Sequence, residues 1–294
     1  MAMRGQNRLK SIENKLLNLI TMCLIKSFTL TYNIDFNIGV SKVFRDLASL
    51  QNDSRLPDAQ LFRYLENRFY LALIKDALHT EGDYSTFDTG LTNRWYQPIY
   101  ALLKKNEGPH PQKYQFVCWA VPGEGTKINS LFTSLPGLPR LFDSFDDLHY
   151  DLRLGTPTIS VEHALDRIER FPKQFLNRIC GVTEDLTSEE YRAAINESPI
   201  AMNLFRSSLE SAVSTAVRRV STDLFTAVPT YYFREQRISL LLPLSLSGND
   251  VVDLALVVVK NEQGTAYVGR TVFTLDQAYS TARVLGRVGN WLAA

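Results

Sequence analysis

The spacing of apolar residues changes along the chain, from a helical period over most of its length to a strand period near its end. Between residues 58 and 79, apolar side chains recur every three or four positions, which predicts an amphipathic helix. Residues 95–105 are predicted to form a short helix or turn. The longest helix is predicted from about residue 199 to 225, with a buried stripe formed by Leu204, Leu209, Val213, Ala216, Val217 and Val220.

Strand-like segments accompany these helices and dominate the end of the chain. Residues 85–88 favour a short strand, and residues 114–121 favour a longer one. Three further strands are predicted at 238–246, 251–260 and 265–274, followed by a helix at 275–285. The sequence therefore predicts an α+β fold, in which helices pack on a mainly antiparallel sheet with a C-terminal three-strand meander and a closing helix.

Composition narrows the class of protein. The 294 residues are 45% hydrophobic and 21% charged, which is typical of globular proteins and excludes disordered and fibrous classes. A net charge of +1 excludes an overall basic field that would attract nucleic acid. No apolar run is long enough for a bilayer, so no membrane span is predicted. The three cysteines have neither disulfide-framework nor metal-ligand spacing, which favours a cytoplasmic location.

The amino-terminal segment is the most basic part of the chain. Residues 1–41 are predicted to form a basic helix–strand extension, with an apolar stretch at 16–25 and a strand at 27–36. No small-residue cleavage site follows the apolar stretch, so an ordinary amphipathic helix is favoured over a targeting sequence. Residues 42–294 are predicted to form one α+β domain.

The last predicted helix carries polar groups on one face. Asp276, Tyr279 and Arg283 are spaced at three, four and seven residues, so a helix brings them onto a shared stripe. They could contact a polar ligand, or they could form a buried network in which Asp276 neutralises Arg283. If the protein is an enzyme, the candidate catalytic residues are Asp276, Asp253 and Tyr279. The sequence predicts no metal site and leaves any cofactor undetermined.

Basic residues lie among aromatic residues at two places. One is residues 94–105, with Arg94, Lys104 and Lys105, and the other is residues 231–237, after the basic pair at 218–219. Aromatic rings next to guanidinium groups suit base stacking and phosphate contact, although aromatic residues on strands also fill protein cores. The predicted ligand-binding residues are Arg94, Tyr96, Tyr100, Arg218, Tyr231, Tyr232, Arg270 and Arg283.

Several segments together resemble a known protein family. These segments are FDTGL (87–91), YQPIYALLKKN (96–106), AVPTYY (227–232), LLLPLSL (240–246), DLALVV (253–258) and YVGRTVFTLDQAYSTAR (267–283). In this order they are similar to the domain-of-unknown-function 3825 family, from about Val43 to Trp291. The resemblance implies no defined activity. Such domains occur in bacteria and fungi, sometimes joined to RNA-related modules, so the resemblance adds to the case for RNA.

These observations favour an RNA- or nucleotide-binding protein that uses aromatic stacking and arginine–phosphate contacts. The expected partner is single-stranded RNA or a nucleotide. Two alternatives stay open: an enzyme that processes a nucleotide or an RNA end, and an interaction module that presents the helix at 199–225 to a protein partner.

Overall fold

Two β-sheets organise the part of the chain that the computed structural model describes, which is residues 34–35, 47, 58–108, 113–123, 125–248, 251–286, 288 and 290–292. The first sheet contains β1 (Ile34–Asp35), β2 (His79–Glu81), β3 (Tyr84–Thr92), β4 (Pro98–Lys105) and β5 (Tyr114–Ala120), in the spatial order β1-β5-β4-β3-β2. Its pairings are antiparallel, except that the short β1 is parallel to β5. The helix predicted at 16–25 lies outside the described residues.

The second sheet is fully antiparallel. It contains β6 (Val228–Tyr232), β7 (Arg237–Leu244), β8 (Leu254–Lys260) and β9 (Tyr267–Phe273), in the spatial order β6-β7-β8-β9. The last three strands form the predicted meander, which is confirmed. β6 is an additional strand, and its Pro229 is tolerated because β6 lies at the edge of the sheet.

Seven α-helices accompany the sheets in the described residues, and the predicted α+β class is confirmed. They are α1 (Asp58–Ile74), α2 (Lys127–Leu131), α3 (Val161–Leu165), α4 (Lys173–Cys180), α5 (Ser188–Glu197), α6 (Pro199–Thr222) and α7 (Leu275–Ala282). None of these helices is both long and apolar enough to span a membrane.

The longest helix, α6, begins where the sequence expects it to. The Ser198 hydroxyl accepts a hydrogen bond from the backbone N–H of Ala201, and Pro199 occupies the first turn, where it sacrifices no helical hydrogen bond. Leu209 and Val213 are buried as predicted. Leu204 is 48% exposed, so its place in the predicted buried stripe was wrong.

The helix or turn predicted at 95–105 was also wrong for residues 98–105, which form the strand β4, whereas residues 94–97 form the turn before it. The sequence Ala-Leu-Leu-Lys-Lys has high helix propensity, but propensity is a weak term compared with tertiary packing. β4 pairs with both β3 and β5, and its residues 99–103 are buried one after another. Because β4 is buried on both faces, its sequence is a continuous apolar run, and such a run resembles the sequence of a buried helix.

Alternating residues of the second sheet pack against different helices. Leu240, Leu242 and Leu244 of β7 pack in one cluster with residues of α6. Leu241 belongs to the opposite face, where the sheet packs against Ala278 and Ala282 of α7. Another cluster joins the two sheets through α1, and it contains Leu61, Tyr64, Leu91, Tyr231 and Val284. Helices therefore cover both faces of the second sheet.

Candidate functional site

Three of the aromatic residues predicted to stack on a ligand are core residues. Tyr100, Tyr231 and Tyr232 are all buried, and Tyr231 has no exposed surface. The Tyr231 ring packs edge-on against Phe233, with 5.1 Å between the ring centres. In this structure none of the three rings can stack on a base, since all lie inside the protein.

The turn between β3 and β4 exposes the other aromatic residues of the first cluster. Tyr96 is 78% exposed and Trp95 is 64% exposed. The guanidinium carbon of Arg94 lies 3.9 Å from the centre of the Trp95 ring, in a cation–π contact. We call Arg94, Trp95 and Tyr96 the aromatic tip. Trp95 was not among the predicted binding residues, although its place beside Arg94 was visible in the sequence.

The buried Asn93 side chain fixes the conformation of the aromatic tip. Its Oδ1 accepts hydrogen bonds from the backbone N–H groups of Trp95 and Gln97, at 3.0 Å each. Its Nδ2 donates to Oε1 of Gln97 at 2.9 Å. Tyr96 then has a φ of 60°, a left-handed conformation that costs a residue other than glycine about 1–3 kcal/mol. Since the Tyr96 ring is mostly exposed, core packing does not explain why a tyrosine occupies this position.

A second group of predicted residues meets where the β6–β7 turn approaches β9. Val257 pairs with Thr271 and Val258 with Gly269, which leaves Arg270 as the extra residue of a β-bulge. The Nε atom of Arg270 lies 2.9 Å from Oε1 of Glu235. Arg237 approaches the other carboxylate oxygen of Glu235, with an Nε to Oε2 distance of 3.0 Å.

Arg234 belongs to the same group because it interacts with the Tyr232 side chain. Burial raises the pKa of the Tyr232 hydroxyl above its ordinary value, while a charge interaction and a hydrogen bond with Arg234 act in the opposite direction. We call Arg234, Glu235, Arg237 and Arg270 the arginine corner. Arg237 and Arg270 both contact the Glu235 carboxylate, and Arg234 contacts the nearby Tyr232 hydroxyl. With three guanidinium groups and one carboxylate, the corner carries excess positive charge. Two predicted ligand residues, Tyr232 and Arg270, are brought close together here.

The polar stripe predicted on the closing helix is not assembled as one site. Asp276 accepts a hydrogen bond from Nε2 of Gln60 at 2.8 Å, and its other oxygen lies 3.9 Å from a guanidinium nitrogen of Arg63. Arg283 instead lies over the Tyr64 ring, 5.4 Å from its centre. Tyr279 packs at the edge of the apolar cluster beneath α7. The alternative in which Asp276 neutralises Arg283 is not observed, because α1 supplies these partners of both residues.

Asp253 closes the connection between β7 and β8. Its Oδ2 accepts from the backbone N–H groups of Leu246, at 2.6 Å, and Ser247, at 2.9 Å. Its Oδ1 accepts from the Ser247 hydroxyl at 2.8 Å. These three bonds give the carboxylate a structural role.

Of the remaining predicted ligand-binding residues, Arg218 lies on the exposed side of α6.

Contacts with α1 explain the residue types of the FDTGL segment (87–91). The sequence did not reveal these contacts. The Tyr64 hydroxyl donates to the carbonyl oxygen of Thr89 at 2.7 Å, and Nε of the buried Arg68 donates to that hydroxyl at 3.1 Å. The backbone N–H of Gly90 donates to Oδ1 of Asp88 at 2.8 Å. Burial raises the pKa of Asp88. The only sequence signal for this arrangement is the four-residue spacing of Tyr64 and Arg68 on one helix.

The model of one protein family, described as a domain of unknown function (DUF3825), matches residues 48–291. Searches of the curated proteins and of the solved structures found no significant match. The matched region contains both the aromatic tip and the arginine corner.

Proposed function

The chain belongs to the DUF3825 family, and from the chemistry of its exposed surfaces we propose that it binds single-stranded RNA. The observation that carries the proposal is the aromatic tip. Trp95 and Tyr96 expose their rings at a turn that Asn93 holds in one conformation. Unpaired bases stack on such rings without a demand for a particular sequence, because every base has a π-face.

The arginine corner supplies the charge that the proposal needs. Arg270 and Arg237 are each partly exposed, and Glu235 between them offsets only one of their charges. Guanidinium groups bind phosphate through paired N–H donors, so the corner suits the RNA backbone. A local patch of this kind is compatible with an overall charge near zero, since phosphate contact depends on the nearby charges.

The proposal uses fewer residues than the sequence predicted. The proposal retains Arg94, Tyr96 and Arg270 and adds Trp95, Arg234 and Arg237. Tyr100, Tyr231, Tyr232 and Arg283 support the fold, and Arg218 on α6 is not used. Asp253 and Asp276 are held by structural contacts, and we propose no reaction for them. The single domain over residues 42–294 and the cytoplasmic location remain predictions.

The aromatic tip gives a direct test. Tyr96→Gly removes the ring and also relieves the left-handed backbone strain, so the turn should keep its shape. Combined with Trp95→Ala, it should weaken binding of a fluorescein-labelled single-stranded RNA at least tenfold, because stacking contributes about 1–3 kcal/mol per base. Fluorescence anisotropy measures the change.

The control is Ile200→Ala, which removes an exposed apolar side chain of α6, away from the tip. It should leave RNA affinity unchanged. Equal affinities for the parent, the control and the double variant would remove the basis of the proposal. A free nucleotide that displaces the labelled RNA at an equal concentration would show that a nucleotide, and not an RNA strand, is the ligand of the aromatic tip.

A further inference from the structure

A groove of about 340 Å³ lies between α6 and the end of β7, in a part of the molecule that the RNA proposal does not use. We call it the α6 groove. Its volume is within the range of small-molecule sites. Its described lining includes two arginines, Arg178 and Arg219, several hydroxyl groups, and no aspartate or glutamate.

One wall of the α6 groove is a stripe of hydrogen-bonding residues on the helix. Ser208, Ser211, Thr215 and Arg219 follow one another at intervals of three and four, so they share one face of α6. Leu204 extends the same stripe towards the start of the helix and is 48% exposed. The wall therefore carries hydroxyl groups and one guanidinium group along most of its length and an apolar side chain at one end.

The opposite wall holds a guanidinium group in place. A terminal nitrogen of Arg178 donates to the carbonyl oxygen of Leu246 at 2.6 Å, and its guanidinium carbon lies 5.7 Å from the centre of the Phe175 ring. Gly248 lies beside the other terminal nitrogen. Arg178 has five N–H donors, and the bond to Leu246 uses one of them. A fixed arginine loses little conformational freedom when it binds an anion.

Ser245 gives an independent indication that the α6 groove takes a ligand. The residue lines the groove, and its hydroxyl oxygen is buried and has no hydrogen-bond partner among the described residues. A buried hydroxyl without a partner costs free energy, which a ligand oxygen at hydrogen-bond distance would recover.

We propose that the α6 groove binds a small molecule that carries a phosphate monoester. A phosphate dianion has several acceptor oxygens, which match the clustered guanidinium and hydroxyl donors better than a single carboxylate does. Arg178 and Ser245 bind the phosphate, and Leu204 and Pro243 contact the rest of the molecule. This site is separate from the aromatic tip and the arginine corner, so it adds a second ligand to the proposed RNA.

The probes are adenosine 5′-monophosphate and inorganic phosphate. Each is titrated into the protein by calorimetry at constant ionic strength, and a titration with sodium chloride is the reference. Ser211→Glu places a carboxylate inside the groove, where it competes for the arginines. Ser214→Glu makes the same change at another exposed α6 position, outside the groove lining. The parent and Ser214→Glu should bind adenosine monophosphate equally, and Ser211→Glu at least tenfold more weakly. Inorganic phosphate that binds as tightly as the nucleotide would identify the phosphate alone as the ligand.

No binding of either probe to the parent protein would overturn the proposal, as would equal affinities of the two glutamate variants. RNA binding by the same samples separates this proposal from the first one. Ser211→Glu should keep the parent's RNA affinity while losing the nucleotide, which also shows that the variant is folded. If the parent binds the nucleotide but no RNA, the groove proposal stands and the RNA proposal fails.

Discussion

Tyr96 and Gly90 both have left-handed backbone conformations, with φ values of 60° and 71°, but for opposite reasons. Gly90 is required by crowding, since a Cβ atom there would lie 2.6 Å from the Tyr64 hydroxyl and also collide with the Arg68 guanidinium. Tyr96 is crowded by nothing comparable, and its ring is mostly exposed. The strain at Tyr96 is therefore the one that suggests a role in binding.

Gly90→Ala should destabilise the protein by at least about 3 kcal/mol, because the collision adds to the conformational cost. Arg68 is buried and bonded to Tyr64, so neither side chain can move away freely. Gly82→Ala is the matched control: Gly82 has a φ of 57°, and a Cβ there meets nothing within 4 Å. It should cost about 1–2 kcal/mol. Denaturant unfolding measures both, and equal losses would contradict the proposed crowding.

At the residue scale the sequence predicts which side chains are chemically suitable for binding a ligand, but not which of them are exposed. Tyr231 and Tyr232 are neighbours on β6 and point to opposite faces of the sheet. Both are buried, because α1 lies against the cluster that contains Tyr231 and α7 against the one that contains Tyr232. The two-residue alternation of a strand sequence cannot show that helices cover both faces of the sheet. Arg94 and Tyr96 are exposed because they lie in the turn between β3 and β4, and their role in binding stays a prediction.

At the scale of elements, the sequence predicts the segments whose ends carry local signals. The closing helix is an example, since Thr274 and Gln277 form a capping box at the start of α7. β4 was missed because its helix propensity is overridden by pairing with two strands. β6 was missed because Pro229 resembles a helix end, and only its position at a sheet edge makes a strand possible.

The carboxylate of Glu81 on the short edge strand β2 contacts the loop after α2. Oε1 of Glu81 lies 2.9 Å from Nε2 of His79 and accepts from the hydroxyl and backbone N–H of Thr133. The hydrogen bonds from His79 and Thr133 lower the pKa of Glu81 to about 2. Because the folded-state pKa lies below the ordinary value of 4.5, the stabilisation is present above pH 4.5 and is lost as the pH falls towards 2.

Glu81→Gln should therefore lower the melting temperature at pH 6, and the difference from the parent should shrink as the pH approaches 2. Glu107→Gln is the control, since Glu107 is 88% exposed and contacts only the Lys104 ammonium among the described residues. The melting temperature of this variant should equal that of the parent at each pH. Thermal unfolding followed by circular dichroism gives the comparison, and a pH-independent effect of Glu81→Gln would contradict the assignment.

At the scale of the whole molecule, positive charge is local. The net charge is +1, yet the arginine corner contains three arginines and one glutamate, and two of the arginines form ion pairs with that glutamate. The aromatic tip belongs to the first sheet and the arginine corner to the second. RNA that uses both surfaces would contact both halves of the fold, which α1 and its hydrophobic cluster connect. We therefore expect single-stranded RNA to bind this protein.

The most direct test is the affinity of the parent protein for a labelled single-stranded RNA, measured by fluorescence anisotropy from about 50 to 300 mM salt. With three arginine–phosphate contacts, each contributing a slope of about −0.7, affinity should fall about 40-fold over this range. Binding with that salt dependence would support the account. An absence of binding at the lowest salt concentration would contradict it.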